Sequence, residues 1–327
     1  MSPGGLQHSS SVGNTELNAL FSYYTSRIID FTASTRSLQE WPEHRQTLLD
    51  LLSVDVPCIL SLPVIANQAV GGEINQAIPI TVAWCALRYA SDILDAIQDG
   101  HALPITELDT PTALGYATGL IFSAFRLVND LKPLEVSHQI NTLFAEAGFY
   151  SSIGQFEGLK SGQKEAFEEA METYWHATIL KSGSIFRAGL AAGAMTGTNS
   201  EREIVALGDF GNALGVIRQI MDDCRDVLEG TQNPVAWNGV TCEPTLPYLL
   251  WVATSHVKQD RTWSVLPLSE AAILNDLIET KVPEIIADVL MEWRQRALES
   301  LVDLVPSKSM RALEYILQIF ITSPSLN

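Results

Sequence analysis

The stretch GDFGNALGVIRQIMDDCRDVLEG, Gly208 to Gly230, is apolar with a helical period. Ala213, Leu214, Val216, Ile217, Ile220, Met221, Cys224 and Val227 recur so closely that little room is left for a wet face. Asp222, Asp223 and Asp226 nevertheless sit inside it. Asp222 and Asp226 are one helical turn apart and share a side, with Arg218 a turn before them. Ionised carboxylates in such surroundings carry a large desolvation cost unless something cationic meets them. One candidate is Mg²⁺, a hard cation bound by one or two carboxylates together with substrate phosphate. The other is a solvated acidic patch in which Arg218 and Arg225 supply the counter-charge.

A second acidic cluster upstream bears on that choice. The segment SDILDAIQDG, Ser91 to Gly100, ends a long apolar run from Ile74 to Gln98 that includes Ile80, Val82, Trp84, Leu87, Ile93, Leu94 and Ile97. Asp95 and Asp99 are four apart and stack on one face, with Asp92 three before Asp95 on nearly the same side. Taken alone, this could be the exposed end of a helix stopped by Gly100. Two buried-looking helices that each carry an i, i+4 aspartate pair form a rarer pattern, and facing each other they would grip divalent ions.

Composition sets the outer bounds. The chain has 327 residues, 46% hydrophobic and 18% charged, with a formal net charge of −18, so it can bury a large core and repels a phosphate backbone. Nucleic acid is therefore excluded as a partner, whereas an anionic substrate remains open if metal ions bridge the two. Cys58, Cys85, Cys224 and Cys242 show no metal-ligand spacing, and reduced core thiols in a cytoplasmic protein are the reading. The opening MSPGGLQHSSSVGN has neither an apolar core nor an early basic charge, so it is read as a disordered tail over residues 1–14. No uninterrupted apolar run reaches the ~18–20 residues that span a bilayer.

The remaining periodicity predicts helices over Leu17–Thr35, Glu43–Leu52, Cys58–Val70 (bent near Pro63), Ala113–Val128, Leu134–Leu159 and Lys164–Ala194. Gly230 to Glu243 reads as the longest loop, and helices resume at Thr245 with breaks near Pro267, Pro283 and Pro306. With no strand pattern anywhere, the fold class is all-α, one domain over residues 15–327.

The order of these motifs resembles the trans-isoprenyl diphosphate synthases, the polyprenyl synthetase family, whose members carry two DDxxD motifs. The second motif is intact here as Asp222-Asp223-Cys224-Arg225-Asp226, preceded by Gln219 of the family's phenylalanine–glutamine pair. The first survives as Asp95-Ala96-Ile97-Gln98-Asp99, with Ser91-Asp92-Ile93-Leu94-Asp95 as a competing register. Gly154-Gln155 is similar to the family's glycine–glutamine element, Lys181-Ser182-Gly183 to its lysine–threonine–glycine segment, and Thr245-Leu246-Pro247 to its entry into the later helices. The resemblance runs from about Val56 to Phe320. It implies one antiparallel helical bundle around a deep central cavity, a homodimer, and about three Mg²⁺ held by Asp95, Asp99, Asp222, Asp223 and Asp226. Lys181, Gln219 and Arg218 would contact the substrate diphosphate, with Asp92, Gln155 and Ser182 in auxiliary positions. Arg218 replaces an apolar family residue and serves either as such a donor or only to neutralise Asp222. Trp84, Tyr89, Phe122, Phe125, Phe156 and Phe186 are candidate cavity-lining rings able to stabilise a cation.

The departures direct the functional reading. Val56, Pro57 and Ile59 stand where the family has the basic residues that hold isopentenyl diphosphate, and Gly100, His101, Ala102 and Leu103 follow the first motif in place of paired arginines. The expectation is therefore a class I terpene synthase-like enzyme. It would ionise an allylic prenyl diphosphate, of C15 to C20 because Ala90 and Ser91 before the first motif are small, and cyclise or quench the carbocation. The alternative is a prenyltransferase, elongating with isopentenyl diphosphate or alkylating another acceptor. A non-catalytic regulatory relative is the third reading.

Overall fold

A computed structural model describes residues 6–100, 103, 108–160, 167–232, 245–254, 277 and 279–322. Every regular element among the described residues is helical. The chain runs through α1 (Leu6–Ser34), α2 (Pro42–Val54), α3 (Pro57–Leu60), α4 (Leu62–Ala69), α5 (Ile74–Asp99), α6 (Thr110–Asn129) and α7 (Leu134–Lys160). It continues through α8 (Phe167–Thr178), a π-helical turn (Ile179–Gly183), α9 (Ser184–Met195), α10 (Glu201–Gln232), α11 (Leu246–Thr254), α12 (Val282–Ser300) and α13 (Lys308–Thr322).

The two aspartate-bearing stretches are the two long central helices. In α5 the residues from Ile80 to Ala90 are buried without interruption, and in α10 Ala213, Leu214, Val216, Ile217 and Ile220 are buried. A helix apolar all round must be covered all round. Accordingly α5 is flanked by α4, α6 and α1, and α10 by α9, α12 and α13. Between them α9 packs against both. Its run of Ala188, Gly189, Ala191, Ala192, Gly193 and Ala194 keeps the side chains short enough for that close approach.

Four details depart from the expectation. α1 begins at Leu6, so residues 6–14, read as tail, are helical; Gly13 and three serines lower helix propensity by only about 1 kcal/mol or less each and do not stop a helix that continues into a packed one. Cys58–Val70 is two helices, because the chain turns at Ser61 and Pro63 then sits in the first turn of α4, where its missing N–H costs nothing. α5 and the first 26 residues of α10 are long and apolar enough to cross a membrane by composition, although 78% and 67% of their most apolar windows are buried inside the bundle. Finally, the helix expected over Lys164–Ala194 is interrupted by the π-turn at Ile179–Gly183. The loop over Gly230–Glu243 and the break at Pro267 lie largely or wholly outside the described residues.

Candidate active site

α5 and α10 bring their aspartates to one cleft of about 170 Å³. It is lined by Asp92, Asp95 and Asp99 from α5 and by Asp222, Asp223 and Asp226 from α10. Lys181 and Ser182 from the π-turn, Gln219 and Arg218 from α10, Arg88 and Ser91 from α5, and Thr245 just before α11 complete the polar wall. Ile185 and Phe186 of α9 form the apolar part. A π-turn shifts the register of one helical turn and commonly marks a functional position. Here it sets Lys181 Nζ 2.6 Å from Asp95 Oδ1.

Each carboxylate has its own surroundings. Burial pushes the Asp95 carboxyl up to about 6, against the opposing pull of Lys181, while Asp99 and Asp92 add repulsion. Asp99 Oδ1 accepts a hydrogen bond from Gln155 Nε2 at 2.9 Å. The glycine beside that glutamine has a steric reason: a Cβ on Gly154 would meet Ala177 O at 2.6 Å and Lys181 N at 2.7 Å, so only glycine lets α7 come this close to the π-turn. Asp222 is paired with both Arg218 and Arg225. Asp92 lies 3.6 Å from Arg88 Nη1.

Asp223 differs from the rest. It is only 4% exposed. Its Oδ2 accepts from Tyr174 OH (2.7 Å) and from the Leu246 N–H (3.1 Å), and its Oδ1 accepts from Gln219 Nε2 (3.0 Å). Burial raises its carboxyl above the usual range, and these three donors pull it back. Gln219 is spent at both ends, since its Oε1 accepts from Ser182 Oγ at 2.7 Å. Asp223 and Gln219 thus tie α10 to α8, to the π-turn and to the start of α11. Tyr174 was not visible as a site residue in the sequence, because its partner lies 49 positions away.

The expected cavity rings scatter. Phe186 lines the cleft, and Trp84 stands behind it edge-on at 5.6 Å, with its indole N–H donating to Ile185 O at 2.8 Å. Tyr89 is buried and donates to Asp55 Oδ2 at 2.7 Å. Phe125 packs partly buried against the core. Phe156, 56% exposed, lines a neighbouring groove between α5 and α7 that shares Asp95 and Lys181 with the main cleft. Phe122 is 64% exposed on α6 and stands outside both linings; the sequence period does not reveal which face of α6 meets α5.

Oxygen-only, carboxylate-rich walls suit a hard divalent cation. Among the described residues, however, no three carboxyl, imidazole or thiol groups converge closely enough to hold an ion as they stand. The donor set fits such a cation in kind, while amines and guanidiniums occupy the oxygens.

A sequence profile of the polyprenyl synthetase family matches residues 64–237, more than half of the chain. The chain is 26% identical over 229 residues to a short chain isoprenyl diphosphate synthase of Methanothermobacter thermautotrophicus, covering 67% of this chain and 70% of that one. It is 25% identical over 198 residues to a geranylfarnesyl diphosphate synthase of Methanosarcina mazei, covering 60% and 64% respectively. In structure it is similar to a geranylgeranyl pyrophosphate synthetase from Pyrococcus horikoshii (TM-score 0.76, 18% identity, 96% of this chain and 99% of that one). It is likewise similar to a polyprenyl synthase from Caulobacter crescentus complexed with calcium and isoprenyl diphosphate (TM-score 0.77, 18% identity, 95% and 97%). These relatives stand with the prenyltransferase alternative and lend no support to the cyclising reading drawn from the missing basic residues.

Proposed function

The chain belongs to the polyprenyl synthetase family, and from that premise we propose that it is a prenyltransferase of the isoprenyl diphosphate synthase type. It would take an allylic prenyl diphosphate as donor and join the prenyl chain to the double bond of isopentenyl diphosphate. The observation that carries the reading is the opposition of two rigid helices, α5 and α10, each presenting an i, i+4 aspartate pair to one cleft with Lys181 between them.

Asp95, Asp99, Asp222 and Asp226 would hold the divalent ions, Mg²⁺ by preference. When bound, these supply Lewis acidity that stabilises charge on the departing diphosphate. Lys181, carried into the cleft on the π-turn, gives the diphosphate a direct cationic contact. Asp223 holds Gln219 and the start of α11 in place. Heterolysis of the allylic C–O bond leaves an allylic cation and free diphosphate. Phe186 and Ile185 keep water from the cation and offer it a ring face. The acceptor's double bond then attacks, and loss of a proton completes the new allylic product. The groove between α5 and α7, about 260 Å³ and lined partly by Leu94, Phe156 and Leu159, offers apolar space for a growing chain beside Asp95.

One observation favours a second acceptor. Arg88, the cation of the cleft nearest the segment Val56–Ile59, is paired with Asp55, so an anionic acceptor must compete with that carboxylate, whereas an uncharged nucleophile need not. A homodimer is also proposed. Phe122 and Leu114 on α6 and Leu134, Phe149, Tyr150 and Phe156 on α7 are exposed apolar side chains on two helices that pack together, and such side chains are what a partner copy would cover.

The test is incubation with Mg²⁺ and geranyl, farnesyl or geranylgeranyl diphosphate, with and without isopentenyl diphosphate, followed by mass spectrometry of the extract. A longer diphosphate that forms only with isopentenyl diphosphate is expected. Hydrocarbon or alcohol release without it would restore the cyclising reading, and no turnover of any donor would leave a non-catalytic relative.

A further inference from the structure

The metal-facing carboxylates of the cleft are neutralised unequally. On α5, Asp95 is met by one flexible amine, Lys181 Nζ at 2.6 Å. On α10, Asp222 Oδ1 is shared by two guanidiniums, Arg218 one turn before it and Arg225 Nη1 at 2.8 Å three residues after it. Both arginines are largely buried, with side chains 26% and 18% exposed. Arg225 Nε is buried without a hydrogen-bond partner, so this guanidinium has a donor to spare. Arg218 also lies within electrostatic reach of Arg88 and Arg225, which repel it, and of Asp92 and Asp226, which hold it.

A divalent ion approaching Asp222 therefore meets two cations already bound to the oxygen it needs. Displacing them would leave Arg225 without its carboxylate and Arg218 with only the more distant Asp92 and Asp226, and an under-paired buried charge costs several times what a surface ion pair returns. The displacement becomes favourable only if another anion receives them. Guanidinium forks match phosphate oxygens in bidentate geometry, and a diphosphate entering the cleft would meet Arg218, which lines it, and reach Arg225 at Asp222.

We propose that Arg218 and Arg225 form a diphosphate-operated latch on Asp222, holding it away from metal until a diphosphate draws the two guanidiniums off. This rests on the reading of the cleft as a metal–diphosphate site. On α5, Asp95, whose cationic partner is an amine and not a guanidinium pair, takes metal first. The α10 side completes the ion set only with substrate present, so metal alone leaves the site half-built.

The test is Mn²⁺ binding by electron paramagnetic resonance on the full chain, with and without inorganic diphosphate, for wild type, Arg225→Leu, Arg218→Leu and Arg225→Lys. For wild type, weak Mn²⁺ binding alone and an additional Mn²⁺ taken up with diphosphate are expected. In Arg225→Leu and in Arg218→Leu, Mn²⁺ alone should bind at least threefold tighter, while inorganic diphosphate in the presence of Mn²⁺ binds at least threefold weaker. These opposite signs are not produced by general loosening of the fold, which circular dichroism monitors. Arg225→Lys should stay near wild type. Mn²⁺ binding that is unchanged or weaker in both leucine variants overturns the latch alone. A wild type that takes up no Mn²⁺ even with diphosphate overturns the site reading and the latch with it.

Discussion

Asp95→Asn separates what the first aspartate does for the site from what it costs the fold. Burial raises the folded-state Asp95 carboxyl from 3.8 to about 6, the Lys181 ammonium notwithstanding. In the unfolded chain it returns to the ordinary range, so between those two values the folded state binds more protons and stability falls as pH rises. The contribution is whole below about pH 4 and is lost through about pH 6. At about 1.4 kcal/mol per unit, the loss is at most about 3 kcal/mol. Asparagine abolishes this titration. It also deprives Lys181 of a partner, but an ammonium stays charged across the whole window, so that effect is a constant offset. Urea denaturation of both proteins from about pH 4 to about pH 7.5 therefore tests the slope. The stability difference between them should shift by about 2–3 kcal/mol in favour of Asp95→Asn as pH rises, while turnover of an allylic diphosphate is lost. Parallel curves would refute the claim that Asp95 is held charged against its surroundings.

Tyr174→Phe removes one of three donors to the buried Asp223 without opening a cavity; it should cost about 1.5–3 kcal/mol in urea melts. Gly189→Ala places a methyl 2.5 Å from Trp84 Nε1, forcing the indole off Ile185 O; a loss of about 2–4 kcal/mol by the same assay is expected, together with reduced turnover because Ile185 and Phe186 line the cleft. Asp222→Asn with Asp226→Asn should abolish turnover of every prenyl diphosphate while far-ultraviolet circular dichroism stays unchanged.

What the sequence revealed and what it withheld divide along a physical line. Helical period exposes the aspartate faces of α5 and α10, because residues four apart must stack whatever surrounds the helix. It is silent about which neighbour a face meets. Phe122 and Phe186 both sit at helical spacing between apolar residues, yet one is exposed and the other lines the cleft. The π-turn that aims Lys181 has no local signature in ILKSG; the packing of α7 and α10 against it goes with a register that propensity does not encode. Tyr174 and Arg88 became legible only once distant elements were brought together. The cyclising expectation, which the relatives do not support, drew on the missing basic residues at Val56–Ile59 and Gly100–Leu103, whereas Arg88 and Arg218 line the cleft from α5 and α10 and Arg225 pairs with Asp222 beside it.

That redistribution of charge constrains the acceptor. Arg88 is 9% exposed, stacked over the rings of Trp84 and Tyr89, and shared between Asp55 and Asp92. Its Nε has no hydrogen-bond partner, so the guanidinium keeps one donor for a further acceptor atom. Asp55 is itself held by Tyr89 OH and by the neighbouring Val56 N–H, and these fix it at the end of α2. An acceptor diphosphate would have to replace a carboxylate with two other hydrogen bonds, which sets a high threshold for anions on this wall. If isopentenyl diphosphate is the acceptor, loosening Asp55 should lower its KM more than it changes kcat, because the competition is for binding and not for the reacting atoms. If the acceptor is uncharged, the same change should leave KM in place and merely expose Arg88. Asp55→Asn thus distinguishes the two acceptors through a residue outside the cleft lining.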